Sequence, residues 1–324
     1  MTNTEAGAEL ELCPCPGGPG VDVLRPRLVP LGGPRAMTVR RTLPHRDRSF
    51  VGAWCFLDHY GPDDVARTGG MDVAPHPHTG LQTVSWLFDG QIEHRDSAGV
   101  HALVRPGEVN LMTGGAGIAH SEVSTPATRF LHGVQLWIVL PHEHRAAARD
   151  FQHWPVPSTV LADGVRARTF IGELAGRTSP LHTFTPLLGA ELLLDRDVSW
   201  AVPVRPDFEH ALLIDAGAAR VAGQPLTAGE LGILDSGPSA VVIEAAEPTR
   251  ALLLGGVPFA EEVVMWWNFI GADHDEIAAA RADWEQHADR FGEVAGYTGG
   301  TARLPAPALP GVRLRSRGRI RRDS

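Results

Sequence analysis

The feature that most restricts the fold is the rhythm of apolar residues from Met37 to Leu140, where short aliphatic, aromatic and β-branched runs are each cut off by Gly, Pro or Asp. Strands read this way, because successive side chains face opposite sides and a turn soon returns the chain. Leu81 to Phe88 is the clearest case: Gln82, Val84, Trp86 and Phe88 fall on one side, and Leu81, Thr83, Ser85 and Leu87 on the other. Asp89-Gly90 follows as the turn of a hairpin. Similar runs at 91–95, 108–113 and 130–140 predict an all-β sandwich or barrel.

The second half repeats the style from about Leu187 to Val257. Arg105-Pro-Gly-Glu-Val-Asn-Leu-Met is echoed by Thr227-Ala-Gly-Glu-Leu-Gly-Ile-Leu, so an internal duplication is expected. Helix enters late. Asp273 and Glu276 form a capping box, and Ile277, Ala280, Trp284 and Phe291 recur at helical spacing, predicting an amphipathic helix of about five turns.

Composition narrows the chemistry. All 29 basic residues are arginine, which excludes Schiff-base lysines, pyridoxal phosphate chemistry and a P-loop. A net charge of −9 argues against nucleic-acid partners. The exception, Arg313, Arg315, Arg317, Arg319, Arg321 and Arg322, is read as a solvated end. No apolar run approaches the ~20 residues that cross a bilayer, so no membrane association is expected. Cys13, Cys15 and Cys55 are too few to staple the chain, and with no signal sequence visible a cytoplasmic location follows. Cys13-x-Cys15 is read as doing nothing structural, and Cys55 as a small buried apolar residue.

His76-Pro-His78 precedes the Leu81 strand, and side chains two apart on a strand share a face. His120 and Glu122 share a face after a glycine-rich turn. Together they offer three imidazoles and one carboxylate, a set suited to Fe(II), Mn(II), Ni(II), Cu(II) or Zn(II). Four protein ligands leave positions open only at a metal of higher coordination number, which favours iron or manganese.

Pro75-His-Pro-His-Thr-Gly-Leu-Gln-Thr-Val, Glu93-His-Arg-Asp-Ser and Met112-Thr-Gly-Gly-Ala-Gly-Ile-Ala-His-Ser-Glu closely resemble the pirin family of the cupin superfamily, as do Trp54-Cys-Phe-Leu-Asp-His-Tyr-Gly-Pro and Met265-Trp-Trp-Asn-Phe. The resemblance implies two jelly-roll cupin barrels, an Fe(II)-type metal in the first, and His76, His78, His120 and Glu122 as its ligands. The expected organisation is a flexible tail (1–34), a metal-binding cupin domain (35–150), a linker (151–186), a second cupin domain with the C-terminal helix (187–292) and an Arg-rich tail (293–324).

The usual cupin glutamate, four residues after the second histidine, is here Gln82, left for a hydrogen bond near the metal, for substrate, or for simple strand packing. His59 and His94 are read as hydrogen-bonded structural residues, and His142 and His144 as exposed ahead of an Ala- and Arg-rich helical segment. Counting from Gly229 as from Gly107 puts Val242 where His120 stands, so one metal per chain is expected. The resemblance implies a quercetin 2,3-dioxygenase-like enzyme acting on a small aromatic flavonol, with Glu122 as candidate catalytic base. The competing reading is a non-catalytic iron-binding regulator with protein partners.

Overall fold

The computed structural model describes residues 20–31 and 37–319, so Cys13, Cys15, most of the expected N-terminal tail, Arg321 and Arg322 lie outside the described residues. The first strands in chain order are β1 (Asp22–Leu24), β2 (Arg27–Pro30), β3 (Thr38–Leu43), β4 (Trp54–Asp64), β5 (Asp72–His78) and β6 (Leu81–Asp89). They are followed by β7 (Ile92–Asp96), β8 (His101–Val104), β9 (Glu108–Thr113), β10 (Ile118–Ser124), β11 (Phe130–Val139) and β12 (Asp150–Pro155). In the first barrel a seven-stranded sheet, β12-β9-β6-β11-β4-β3-β2, faces the four-stranded β5-β10-β7-β8.

The second barrel repeats the seven-plus-four plan. Its large sheet is centred on Glu209–Ala216, Thr249–Gly256 and Leu187–Leu194, and its small one on Ala240–Ala245 and Ala218–Val221. The duplication extends to the turn that carries the sequence echo. Glu108 N donates to Arg105 O (3.1 Å) and Glu230 N to Thr227 O (3.0 Å). Gly107 and Gly229 take φ of +79° and +89°, the left-handed position such a turn requires.

The large sheets pack back to back. Cys55, Leu57, Val84, Trp86, Leu136 and Ile138 from the first barrel share one core with Phe170, Ala211, Leu213, Leu252 and Leu254 from the second. Trp86 stacks on Phe170 at 4.8 Å, and Trp54 Nε1 donates to Leu188 O at 3.1 Å. Each large side chain buried there contributes on the order of 2 kcal/mol. The alternation read from Leu81 to Phe88 thus has a concrete meaning. Val84 and Trp86 face the second barrel, and Ser85 faces the interior of its own.

Several expectations change. Asp89-Gly90 does not close a hairpin, because β6 and β7 lie in opposite sheets and the turn carries the chain across the barrel. The tail expected over 1–34 includes β1, which pairs with Leu231–Leu234 of the second barrel, and β2, which pairs with β3. The linker expected over 151–186 supplies most of β12 to the first barrel and Thr159–Ala162 and Val165–Ile171 to the second. These pieces alternate only briefly, and long-range pairing decides their structure.

The helix is His274–Glu285, shorter than expected, with Ile277, Ala280 and Trp284 buried. Asp273 Oδ1 accepts from Asp275 N (2.9 Å) and Glu276 N (3.0 Å), while Glu276 reaches back to Ala272 N (2.7 Å). Phe291 is buried beyond the helix end. Nor are residues 293–319 a solvated tail. Leu304 N donates to Pro75 O on β5 (2.9 Å), Trp284 Nε1 donates to Leu304 O (2.9 Å), and Arg317 and Val263 exchange backbone bonds. Arg319 reaches the buried Glu209 at 2.6 Å. Arg313 likewise pairs with Asp275 at 2.9 Å, so acidic residues of the body partner two arginines of this segment. No helix among the described residues is long and apolar enough to cross a membrane.

Candidate metal centre

β5 and β10 pair with His76 opposite His120 and His78 opposite Ile118, so three imidazoles from two neighbouring strands turn into the first barrel. Their ring centroids lie 4.3 Å (His76 to His120), 5.0 Å (His78 to His120) and 5.1 Å (His76 to His78) apart. His78 Nε2 and His120 Nε2 approach to 3.0 Å. All three rings are buried, and burial, reinforced by the neighbouring imidazoles at His76 and His120, holds each well below the ordinary histidine pKa. Unprotonated nitrogen is what a metal requires.

Hydrogen bonds behind the rings decide which nitrogen is free. His76 Nδ1–H donates to Ala74 O (2.9 Å), and the opposite atom, Nε2, is buried with no hydrogen-bond partner. On β7, His94 and Asp96 share the inward face. Asp96 Oδ1 accepts from Ala98 N (2.8 Å) and Val100 N (3.1 Å), and Oδ2 faces His94 Nε2 (3.2 Å). A carboxylate there makes His94 Nε2 the donor, so His94 Nδ1 must accept from His120 Nδ1, 3.5 Å away. His120 then presents the lone pair of Nε2. This carboxylate–histidine backing is the usual support of a metal-binding imidazole. Sequence reasoning left His94 as a structural residue and passed over Asp96, although the i, i+2 spacing of the pair was visible.

Glu122 is buried on the same strand as His120 and clusters with His120 and His94, their candidate ligand atoms lying within 4.8 Å of one another. His76, His78 and His120 form a separate such cluster, so the structure joins the carboxylate to the ring through His120. Ser85 Oγ lies 3.5 Å from Glu122 Oε1 and donates to Gln135 Oε1 at 2.9 Å. Trp137 stands edge-on to His78 at 5.1 Å and stacks on Phe56 at 4.0 Å, making an aromatic wall. Arg41 is held by both oxygens of Asp58 (2.7 and 2.8 Å). A divalent transition metal fits this donor set: a buried, unpartnered imidazole nitrogen, a second made available by its backing, and a carboxylate alongside.

Gln82 is the clear departure. It lies on the face of β6 turned towards the second barrel, and its Nε2 donates to Thr113 Oγ1 (3.0 Å) and His182 O (3.4 Å). The packed-strand alternative therefore holds. His142 is exposed on a single 3-10 turn, His142–His144, and the segment after it runs into β12 rather than a helix. Cys55 is buried, which pushes its thiol far up from the usual range. In the second barrel Val242 faces solvent, and Val241 and Ile243 point inward, so apolar side chains occupy the corresponding interior.

Similarity to known proteins agrees with this geometry. A profile described as Pirin matches residues 36–138, and one described as Pirin C-terminal cupin domain matches residues 189–292. A Pseudomonas aeruginosa protein named "Putative quercetin 2,3-dioxygenase PA1205" is 42% identical over 313 residues, covering 96% of this chain and 98% of its own. Human pirin is 30% identical over 268 residues, covering 78% and 88%. The crystal structure of quercetin 2,3-dioxygenase from Acinetobacter baumannii superposes with a TM-score of 0.87 at 39% identity, covering 92% of this chain and 98% of that one. With two barrels of the same plan, matching profiles in each half and relatives aligned along nearly the whole length, the chain belongs to the pirin family.

Proposed function

We propose that the chain is a metal-dependent dioxygenase of quercetin 2,3-dioxygenase type, acting on a small hydroxylated aromatic such as a flavonol. His76, His78, His120 and Glu122 would hold the metal, with Fe(II) the one proposed among the several that three imidazoles and a carboxylate suit. The observation that carries the reading is the buried imidazole triangle with His76 Nε2 left without a partner. The relatives named above support the reaction class.

When bound, the metal supplies a Lewis-acid centre with exchangeable positions and access to O₂ chemistry. The protein does the rest. Ala74 O and the His94–Asp96 pair fix the tautomers of His76 and His120, so neither ring must reorient to bind. Glu122, once released from the metal, would take the proton of a substrate hydroxyl. Trp137, beside His78, gives the site an apolar wall, and Phe56, held between Trp137 and Arg41, supports it from behind.

The test is O₂ uptake by iron-loaded protein with quercetin in air, beside Glu122→Gln. Wild type should consume O₂ and flavonol together above the level of free iron, and Glu122→Gln should lose at least a hundredfold, within the usual range for removing a general base. Full metal loading with no turnover would overturn the enzymatic reading in favour of a non-catalytic, partner-binding one.

A further inference from the structure

The second barrel carries a cleft of its own, about 760 Å³, bounded by residues 181–186 and by Leu188, Val204, Phe208 and His210. That volume matches sites that enclose a small organic ligand. His210 lies on Glu209–Ala216, where Leu212 and Ile214 belong to the second barrel's core and Ala211 and Leu213 to the core between barrels. Alternation therefore turns His210 inward, at the mouth of the barrel. The residue is 2% exposed, and its Nε2 has no hydrogen-bond partner, nor does Thr185 Oγ1 in the cleft wall. Two buried polar atoms without a partner beside one cleft offer a ligand's polar group a place to bond.

The surroundings specify the ligand. Phe184, Phe208, Leu188 and Val204 give the cleft an apolar, partly aromatic lining. Its one arginine, Arg205, is bound by both oxygens of Asp207 (3.0 and 2.5 Å), and Glu173 also lines the cleft. Among the described residues lining the cleft, no arginine is left over for a carboxylate or phosphate. Burial holds His210 down to about 4, so at neutral pH it offers one donor and one acceptor. The wall is also held in place: His182 O accepts from Gln82 Nε2 (3.4 Å) and Gln152 Nε2 (3.3 Å), and His182 N donates to Gln152 Oε1 (2.8 Å).

We propose that the cleft of the second barrel is a separate binding site for a neutral hydroxylated aromatic molecule, its ring packed among Phe184, Phe208, Leu188 and Val204 and its hydroxyl bonded to His210. The site shares no residue with the metal centre, so it stands whether or not the dioxygenase reading does.

The probe is 2-naphthol, with 2-naphthoate as the anionic control, titrated calorimetrically into the full chain and into His120→Ala. The expected result is a 2-naphthol site that survives His120→Ala and that, in the His120→Ala background, weakens about tenfold in His210→Leu as expected for losing one buried hydrogen bond, and disappears in Val204→Trp, which fills the cleft from its rim. 2-Naphthoate should bind at least about tenfold more weakly, having no unpaired cation to meet. Should His210→Leu fail to fold, Val204→Trp still decides, since Val204 is only half-buried. Loss of all 2-naphthol binding in His120→Ala, or undiminished binding in Val204→Trp, overturns the proposal.

Discussion

Among the described residues, buried side chains of metal-binding type gather in two regions, and they differ in what stands behind the rings. In one, His76, His78 and His120 are backed by a backbone carbonyl and by the His94–Asp96 pair, and His76 Nε2 has no partner. In the other, His59, His132 and Asp215 meet where the barrels join. Both Nε2 atoms lie 2.7 Å from Asp215 Oδ1 and 3.4 Å from each other. By donor type the second cluster is as good a metal site as the first. Yet Arg40 places one nitrogen 3.1 Å from His59 Nε2 and donates to its Nδ1 (3.4 Å), while Arg250 binds Asp215 Oδ2 (2.6 Å) and reaches His132 Nδ1 (3.5 Å). A unit charge ~4 Å from another costs about 4 kcal/mol at an effective dielectric constant of 20, and a divalent ion twice that. Identity of the ligands does not make a metal site; the charge of their supports does. The arginine-backed cluster is a latch that joins β3, β4 and β11 to the second barrel.

The largest effect that separates the clusters is metal content. Purified protein should carry close to one transition metal per chain, His120→Ala should carry almost none, and His59→Ala should keep the wild-type amount. Elemental analysis of the three proteins checks this. A second equivalent of metal in wild type that disappears in His59→Ala would break the comparison.

Stability should show the reverse pattern. Asp215→Ala removes the anion that Arg250, His59 and His132 share, and stranding buried partners of a broken ion pair costs about 3 kcal/mol. Metal content should be unchanged, and urea unfolding measures the loss. Acid should loosen the same latch. Burial holds His59 below its usual 6.5, so in weak acid the unfolded chain takes up a proton that the folded one refuses, and stability falls as pH drops below about 6.5. At Asp215 burial opposes ionisation, but hydrogen bonds from His132 and His59 and the charge of Arg250 outweigh it and hold the carboxyl well below its usual value. Its contribution is present above about pH 4, where the unfolded carboxyl is also ionised, and is lost as pH falls further. Unfolding curves at pH 7 and 5 that coincide would contradict the assignment of His59.

Much of the candidate metal centre was legible in sequence because the side chains proposed as its ligands are close in the chain. His76 with His78, and His120 with Glu122, are strand-spaced pairs, and a strand fixes which side chains share a face. The latch was illegible. Its acid, Asp215, is separated from His59 by 156 residues and from His132 by 83, and only the packing of one barrel on the other brings them together. The same limit explains β1 and the C-terminal segment. Asp22–Leu24 becomes a strand because Leu231–Leu234 offers an edge, and Leu304 is fixed because the edge strand β5 leaves Pro75 O free to accept. Local pattern also failed at Asp89-Gly90, where the turn residues were right and the pairing they join was not.

The smallest effect, and the most specific, is expected two rings from the metal. Asp96→Asn keeps the size of the side chain and can keep its bonds from Ala98 N and Val100 N if the amide oxygen takes the place of Oδ1. The NH₂ group then faces His94 Nε2, which must change from donor to acceptor. The proton of His94 moves to Nδ1 and points at His120 Nδ1, so His120 carries its own proton on Nε2, the atom needed for the metal. One substitution that alters no ligand thus shifts the tautomer of a ligand. Metal affinity should fall about tenfold, at the lower end of what loss of such backing costs, while unfolding without metal stays close to wild type. Arg40→Gln, the corresponding change behind His59, should leave metal affinity untouched. Competition with a chromogenic chelator measures both. Equal affinities for Asp96→Asn and wild type would show that the hydrogen bonds behind His120 do not set its tautomer, and the contrast between the clusters would then rest on the arginines alone.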